Sequence, residues 1–197
     1  MSTLSTSAPK PISISRADGP AGPHRRPAIR AASARRLAIL LAALFAAPIA
    51  QAAPLVLESA GLSLPSGQHI RFGMKATAAT ALATAALGPP VKRGIYPDCG
   101  QGIPIAHVHY KGELELSFIA GKFVGWTLDR PGPKTAKGIG IGATFADVRR
   151  AYPDADVDLF DDWVRFTTEN GPGGFLDGKG PKAKIVSLNA GQTCIVD

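Results

Sequence analysis

No apolar run in the chain is long enough to be an uninterrupted membrane span. A spanning helix takes ~20 apolar residues, and the longest run, 37–47, is followed by Pro48, Gln51 and Pro54. Cysteine is scarce. Cys99 and Cys194 are the two in 197 residues, too few for a four-cysteine zinc module or a disulfide-dense scaffold. No Gly-x-Ser-x-Gly element occurs, which removes the nucleophile elbow of the α/β hydrolases.

Three motif look-alikes also fall short. Gly173 to Gly180 nearly spells a phosphate-binding loop, but Gly180 follows Lys179 where a hydroxyl is needed, and Pro181 opens no helix. Gly138-x-Gly140-x-Gly142 places its third glycine too early for a dinucleotide fingerprint and has no β-α-β frame, so it reads as a closely packed strand. Asp154, Asp156, Asp158 and Asp162 sit at calcium-loop spacing, yet Leu159 stands at the turn glycine and Arg165 at the closing glutamate. Their alternation with Ala155, Val157 and Leu159 reads instead as a strand with an acidic face.

What is present begins with a leader. A basic stretch ends at Arg35-Arg36, an apolar run follows, and Pro48 precedes the small-x-small triplet Ala50-Gln51-Ala52. That order is a secretory signal, with cleavage expected after Ala52. The expected organisation is a signal peptide over 1–52 and one exported domain over 53–197, periplasmic or secreted. An uncleaved anchor is the alternative, and its basic flank would still leave the domain outside. The residues flanking Arg35-Arg36 fit a twin-arginine signal poorly, which favours the general secretory route.

The leader also accounts for the charge. The whole chain is formally +7, but the first 52 residues carry seven Lys and Arg against Asp18. Fifteen basic and fourteen acidic residues remain, so the exported part is nearly neutral. No nucleic-acid partner is expected, nor a nucleotide or other cofactor. Membrane contact is expected through the leader alone, if it is retained. A segment of this size can bury an ordinary core. In an oxidising compartment Cys99 and Cys194 are expected to pair, a bridge of roughly 4–5 kcal/mol in the chain-entropy account. Two separate thiols are the alternative.

Within the exported part, Leu55-Val56-Leu57 and Gln68 to Phe72 read as strands. A helix is expected from an N-cap at Thr77 through Leu87, with Ala78, Ala81, Leu82, Ala85 and Ala86 as its apolar stripe and Gly88-Pro89-Pro90 as its stop. Tyr96 to Gly100 reads as a loop. From His107 to Phe118 the sequence alternates, with Val108, Tyr110, Leu114, Leu116 and Phe118 apolar and His107, His109, Glu113, Glu115 and Ser117 polar. Strict alternation predicts one face on the core and one in water. Ala120-Gly121 is a hairpin turn, returning through a strand with Val124, Trp126 and Leu128 on one side. A second round follows: a glycine-rich segment at 138–144, a short helix near Phe145 to Tyr152, and strands near Trp163 to Thr167 and Lys184 to Asn189. Asn170 to Gly174 and Gly178 to Pro181 read as turns. The fold class expected is α+β: two tandem strand-helix-strand repeats, about 54–130 and 131–197, forming a mainly antiparallel sheet with short helices on one side.

Phe72-Gly73-Met74 with Leu87-Gly88-Pro89, and Ile141-Gly142-Ala143-Thr144 with Tyr152-Pro153, resemble the tandem modules of the β-lactamase-inhibitor-protein-like and SmpA/OmlA outer-membrane-lipoprotein superfamily. The Asp98-Cys99-Gly100 loop, the Gly125-Trp126 strand and Ala190 to Cys194 are similar to those of uncharacterised exported bacterial proteins. The resemblance spans roughly 70–197 and implies a fold. The inhibitor's contact residues and the lipoprotein's lipidated cysteine are not recognisable here.

Two surface candidates follow. His107 and His109, at i and i+2 on one strand face, can chelate zinc or copper, with Glu113 or Glu115 as third ligand; a solvated pair is the alternative. Trp126 and Trp163 are candidates for a binding surface or for the core. The function expected is a non-enzymatic exported domain that binds a protein or envelope component through a sheet face. The alternative is a metal-binding protein centred on His107 and His109.

Overall fold

The computed structural model describes residues 53–99, 102–160 and 162–194. The leader and its expected cleavage site at Ala52 lie outside them. Among the described residues no helix is long and apolar enough to cross a membrane.

Among the described residues twelve strands form two sheets. Strands β1 (Val56–Glu58), β2 (Gly61–Ser63) and β3 (His69–Arg71) make a short meander. Strand β8 (Lys134–Thr135) joins β1 in parallel to complete the order β3-β2-β1-β8. The large sheet contains β4 (Lys92–Tyr96), β5 (Ile105–Tyr110), β6 (Leu114–Ile119) and β7 (Lys122–Leu128). Its other half is β9 (Asp156–Phe160), β10 (Trp163–Thr167), β11 (Gly173–Leu176) and β12 (Ile185–Gly191). The order is β4-β5-β6-β7-β12-β11-β10-β9, every pairing antiparallel. With helices α1 (Ala76–Leu87) and α2 (Phe145–Ala151), the class is α+β with strands dominant.

The sequence explains the strongest elements. In β5 and β6 the apolar alternation puts Val108, Tyr110, Leu114, Leu116 and Phe118 into the core. Ala120-Gly121 turns the chain into β7. A register irregularity at Ser117/Phe118 shifts the phase of β7 at its start. Phe123 therefore takes the core position next to Trp126 and Leu128, and Val124 is half-buried. Trp126 is fully buried, and its indole N–H donates to the Glu58 carbonyl at 2.9 Å, tying the small sheet to the large one. It is a core residue and offers no binding surface.

Helix α1 begins at Ala76 with Lys75 at the cap position and no side-chain cap, so Thr77 lies inside it. It buries Ala79 and Ala83 and leaves Ala78, Ala81 and Ala85 exposed. Seven of its twelve residues are alanine, so hydrophobicity varies too little around the helix to set a phase. Helix α2 is capped by Thr144 and Asp147, each side chain receiving a bond from the other's backbone N–H at 3.1–3.2 Å.

Both helices are entered through the same backbone contacts. Gly73 N–H donates to the Phe123 carbonyl, Phe123 N–H to Met74, and Ala76 N–H to Gly121, all at 2.8 Å. Gly142 N–H donates to Ile185, Ile185 N–H to Ala143, and Phe145 N–H to Ala183, at 2.8–2.9 Å. Each helix is followed by a four-strand meander, β4–β7 or β9–β12, and the meanders join at β7 and β12.

Three local expectations are corrected. Lys92 to Tyr96 is a strand, so Tyr96 lies outside the expected loop. Gly173-Gly174 begins β11 and does not form a turn, because Gly174 packs against β12 where a Cβ would meet the Ser187 carbonyl oxygen at 2.1 Å. The segment 138–142 forms turns with Ile139 and Gly140 buried, and not a strand.

Candidate functional site: the second face of the large sheet

One face of the large sheet is covered by residues of the common hydrophobic core, including α1, α2 and the small sheet. The opposite face holds the polar residues of the alternating strands, and it is not uniformly wet. From Leu114 through Phe118 every residue of β6 is buried, so this strand is covered on both sides.

Close backbone approach supplies part of the cover. Past β12 the chain crosses β7: Gln192 N–H donates to the Val124 carbonyl at 2.9 Å. A Cβ at Gly125 would meet the Gln192 carbonyl oxygen at 2.3 Å. Two residues further on, Cys194 is disulfide-bonded to Cys99 in the segment after β4, with Cα atoms 5.3 Å apart. This bond is consistent with an extracytoplasmic location. A cleft of roughly 270 Å³ borders Cys194. It runs between Tyr96 and Trp163 over a floor that includes His109, Glu115, Thr127 and Asn189.

Cross-strand register builds the floor. His107 stands opposite Ser117 and Gly94, and His109 opposite Glu115. His107 and Glu115 are 4% and 6% exposed. His107 fits because its β4 neighbour has no side chain, since a Cβ at Gly94 would come within 2.4 Å of the His107 Nε2 atom. The Tyr96 ring lies over His107 with centroids 4.0 Å apart, and the two imidazoles are 4.9 Å apart edge to face.

Glu115 gathers the polar contacts. Its Oε2 accepts from the Tyr96 hydroxyl at 3.0 Å, and its Oε1 from the Ser117 hydroxyl at 3.2 Å. His109 Nε2 lies 2.7 Å from Glu115 Oε2, an ion-pair distance, but the approach is too bent for a directed hydrogen bond. Among the described residues neither ring nitrogen of His107 has a hydrogen-bond partner, and the Thr127 hydroxyl also lacks one. Removal from water pushes the His107 imidazole below its ordinary value; Glu115 opposes this, while His109 and Lys92 add to it. The Tyr96 phenol is pushed up to about 12, first by burial and then by the neighbouring Glu115 carboxylate. At the rim Asp129 is exposed as a residue, yet its carboxyl is raised, chiefly by desolvation and against a Ser187 hydrogen bond.

The described His, Cys, Asp and Glu side chains close enough to share an ion are His107, His109 and Glu115, whose ligand atoms lie within 4.8 Å of one another. Glu113 is outside this group. It lies in the turn between β5 and β6 at φ 59°, exposed, with Arg130 at 3.6 Å. The turn consumes Lys111 to Glu113 and interrupts the alternation, which brings Glu115 opposite His109 in Glu113's place. Trp163 is 47% exposed and lines the cleft, its ring edge-to-face with Phe175 at 6.1 Å. The acidic stretch lies on β9, at the far edge of the sheet from the histidines. Asp158 pairs there with Arg165, Nε to Oδ1 at 3.0 Å, and Asp154 accepts from the Glu169 backbone N–H.

Sequence reasoning missed Tyr96 as a wall of this cleft and Thr127 and Asn189 as parts of its floor. Tyr96 was hidden by its turn-like neighbours Pro97 and Asp98. The signal available was Gly94, a strand glycine, which often marks close approach of another group.

The fold and site define an α+β domain with a polar, partly covered second sheet face. Compared with protein-family models, curated proteins and solved structures, the chain matches none.

Proposed function

We propose that the protein is an exported binding domain that holds a protein or cell-envelope component on the second face of its large sheet. The observation that carries this reading is the cleft between Tyr96 and Trp163, where an indole 47% exposed stands beside a polar floor. Concave sites that join aromatic walls to a few placed polar groups are the usual form of a binding site. Partly exposed tryptophan is also enriched among residues that dominate binding energy.

The proposal includes two tandem halves related to the inhibitor-like and SmpA/OmlA-like modules. The matching entry contacts of α1 and α2, and the meeting of the two meanders at β7 and β12, support that relation. On this reading the chain is exported by its leader, and the disulfide fixes the end of the chain over the binding face.

A photo-cross-linking residue at position 163, in the full chain exposed to bacterial envelope extract, tests the proposal. A discrete adduct at 163, and none from the same probe at exposed Ala85 on α1, is the expected result. Equal labelling at both positions, or none at either, contradicts it.

A further inference from the structure

We propose that His107, His109 and Glu115 bind one borderline divalent transition-metal ion, zinc in the first instance, beside the cleft that His109 and Glu115 line. The site adjoins the proposed binding surface but rests on these three side chains alone.

The donor set comes first. Two imidazoles and one carboxylate are a recurrent zinc set, with a further position left for water or a ligand. The topology brings them together from two adjacent strands: His107 and His109 at i and i+2 on β5, and Glu115 directly across from His109 on β6. Their ligand atoms lie within 4.8 Å of one another. Tetrahedral ligands at zinc–nitrogen distances stand about 3.3 Å apart, so modest side-chain rotation closes the set.

A second observation is independent of that spacing. His107 is 4% exposed, and both of its nitrogens lack a hydrogen-bond partner among the described residues. A buried polar group left so is costly and calls for an explanation. Its neighbour Glu115 is 6% exposed and is oriented by the neutral hydroxyls of Tyr96 and Ser117. A buried carboxylate is stable when a cation compensates it. One ion would satisfy an orphaned His107 nitrogen and neutralise Glu115, with Tyr96 and Ser117 as the outer-shell donors that hold such a ligand in place. The cleft beside His109 and Glu115, bordered by Thr127 and Asp129, leaves the remaining coordination position open.

The test uses protein purified from expression of the full chain, stripped with chelator and titrated calorimetrically with zinc. Saturable binding of one ion per chain is expected. Glu115→Gln keeps the side-chain shape and is expected to weaken zinc by at least about tenfold; His107→Phe is expected to do the same. Cobalt in place of zinc should give the intense visible bands of a four-coordinate site, and these should be lost in Glu115→Gln. His69→Ala, at the exposed histidine of β3, should leave the affinity unchanged. If His107→Phe does not fold, Glu115→Gln and the cobalt spectrum decide. No saturable binding, binding unaffected by Glu115→Gln, or binding lost in His69→Ala would overturn the proposal. Cross-linking at position 163 without zinc uptake sinks the metal site and spares the binding surface; zinc uptake without cross-linking does the reverse.

Discussion

At one end of the second face, β5 and β6 hold His107, Glu115 and Ser117 almost out of water, under the Tyr96 ring. At the other end, β9 and β10 show Asp156, Asp158 and Thr167 to solvent, with Asp158 answered by Arg165. Both ends alternate polar and apolar residues in sequence. Their fates differ because alternation decides which residues share a face, whereas cover decides whether that face is dry. The covered end carries orphaned imidazole nitrogens that an ordinary surface would satisfy with water. The bare end carries an ion pair, Asp158 with Arg165, worth little to stability. The contrast teaches where a specific ligand would gain most from desolvated polar groups and where the sheet merely meets solvent.

The contrast can be broken most strongly at the disulfide. Replacing Cys99 and Cys194 by serine opens a loop with sequence separation 95 and should lower stability by roughly 4–5 kcal/mol. Urea unfolding measures the loss; a variant as stable as the parent would show that the bridge constrains little. Next come the two tryptophans. Trp126→Ala should cost about 3–5 kcal/mol, as for a large buried ring, while Trp163→Ala should cost less than about 1 kcal/mol. Similar losses at both positions would put Trp163 in the core and dissolve the contrast.

Gly94→Ala sharpens the covered end. Its new Cβ would meet the His107 ring and should cost about 1–3 kcal/mol by overpacking. In His107→Ala the same change should cost far less, a coupling readable in a double-mutant cycle. Additive costs would mean that the imidazole does not lie against β4.

The smallest effect belongs to the bare end. Arg165 holds the Asp158 carboxyl below its ordinary value, mainly by a side-chain hydrogen bond. A depressed carboxylate adds stability that is present above its unfolded value and lost as pH falls through the folded one. Arg165→Gln should therefore return Asp158 to ordinary titration and flatten that acid-side loss, as followed by carboxyl NMR. An Asp158 titration unchanged in Arg165→Gln would refute the pairing.

Much of this was legible in the sequence. The alternation of Val108 to Phe118, the turn at Ala120-Gly121 and the end of α1 at Gly88 follow from local chemistry, and the pairing of Cys99 with Cys194 from an even cysteine count in an expected oxidising compartment. The rest depended on contacts between distant segments. Helix α1 offered no phase to read, because alanine dominates every side of it. Of the two glutamates the sequence offered, the turn at Lys111 to Glu113 takes Glu113 out of the histidine cluster and leaves Glu115 in it. Burial of the nominally wet face could not be read from strands β5 and β6 at all, since the cover comes from Tyr96 and from the chain crossing near Gln192.

Nuclear magnetic resonance mapping of a partner identified by cross-linking tests the central claim most directly. Added to isotopically labelled protein, that partner should perturb the resonances of Thr127, Trp163, Ser187 and Asn189 while leaving α1 unchanged. Perturbations concentrated on α1 and on the exposed edge at Val91 to Ile95, with the second face silent, would contradict the account.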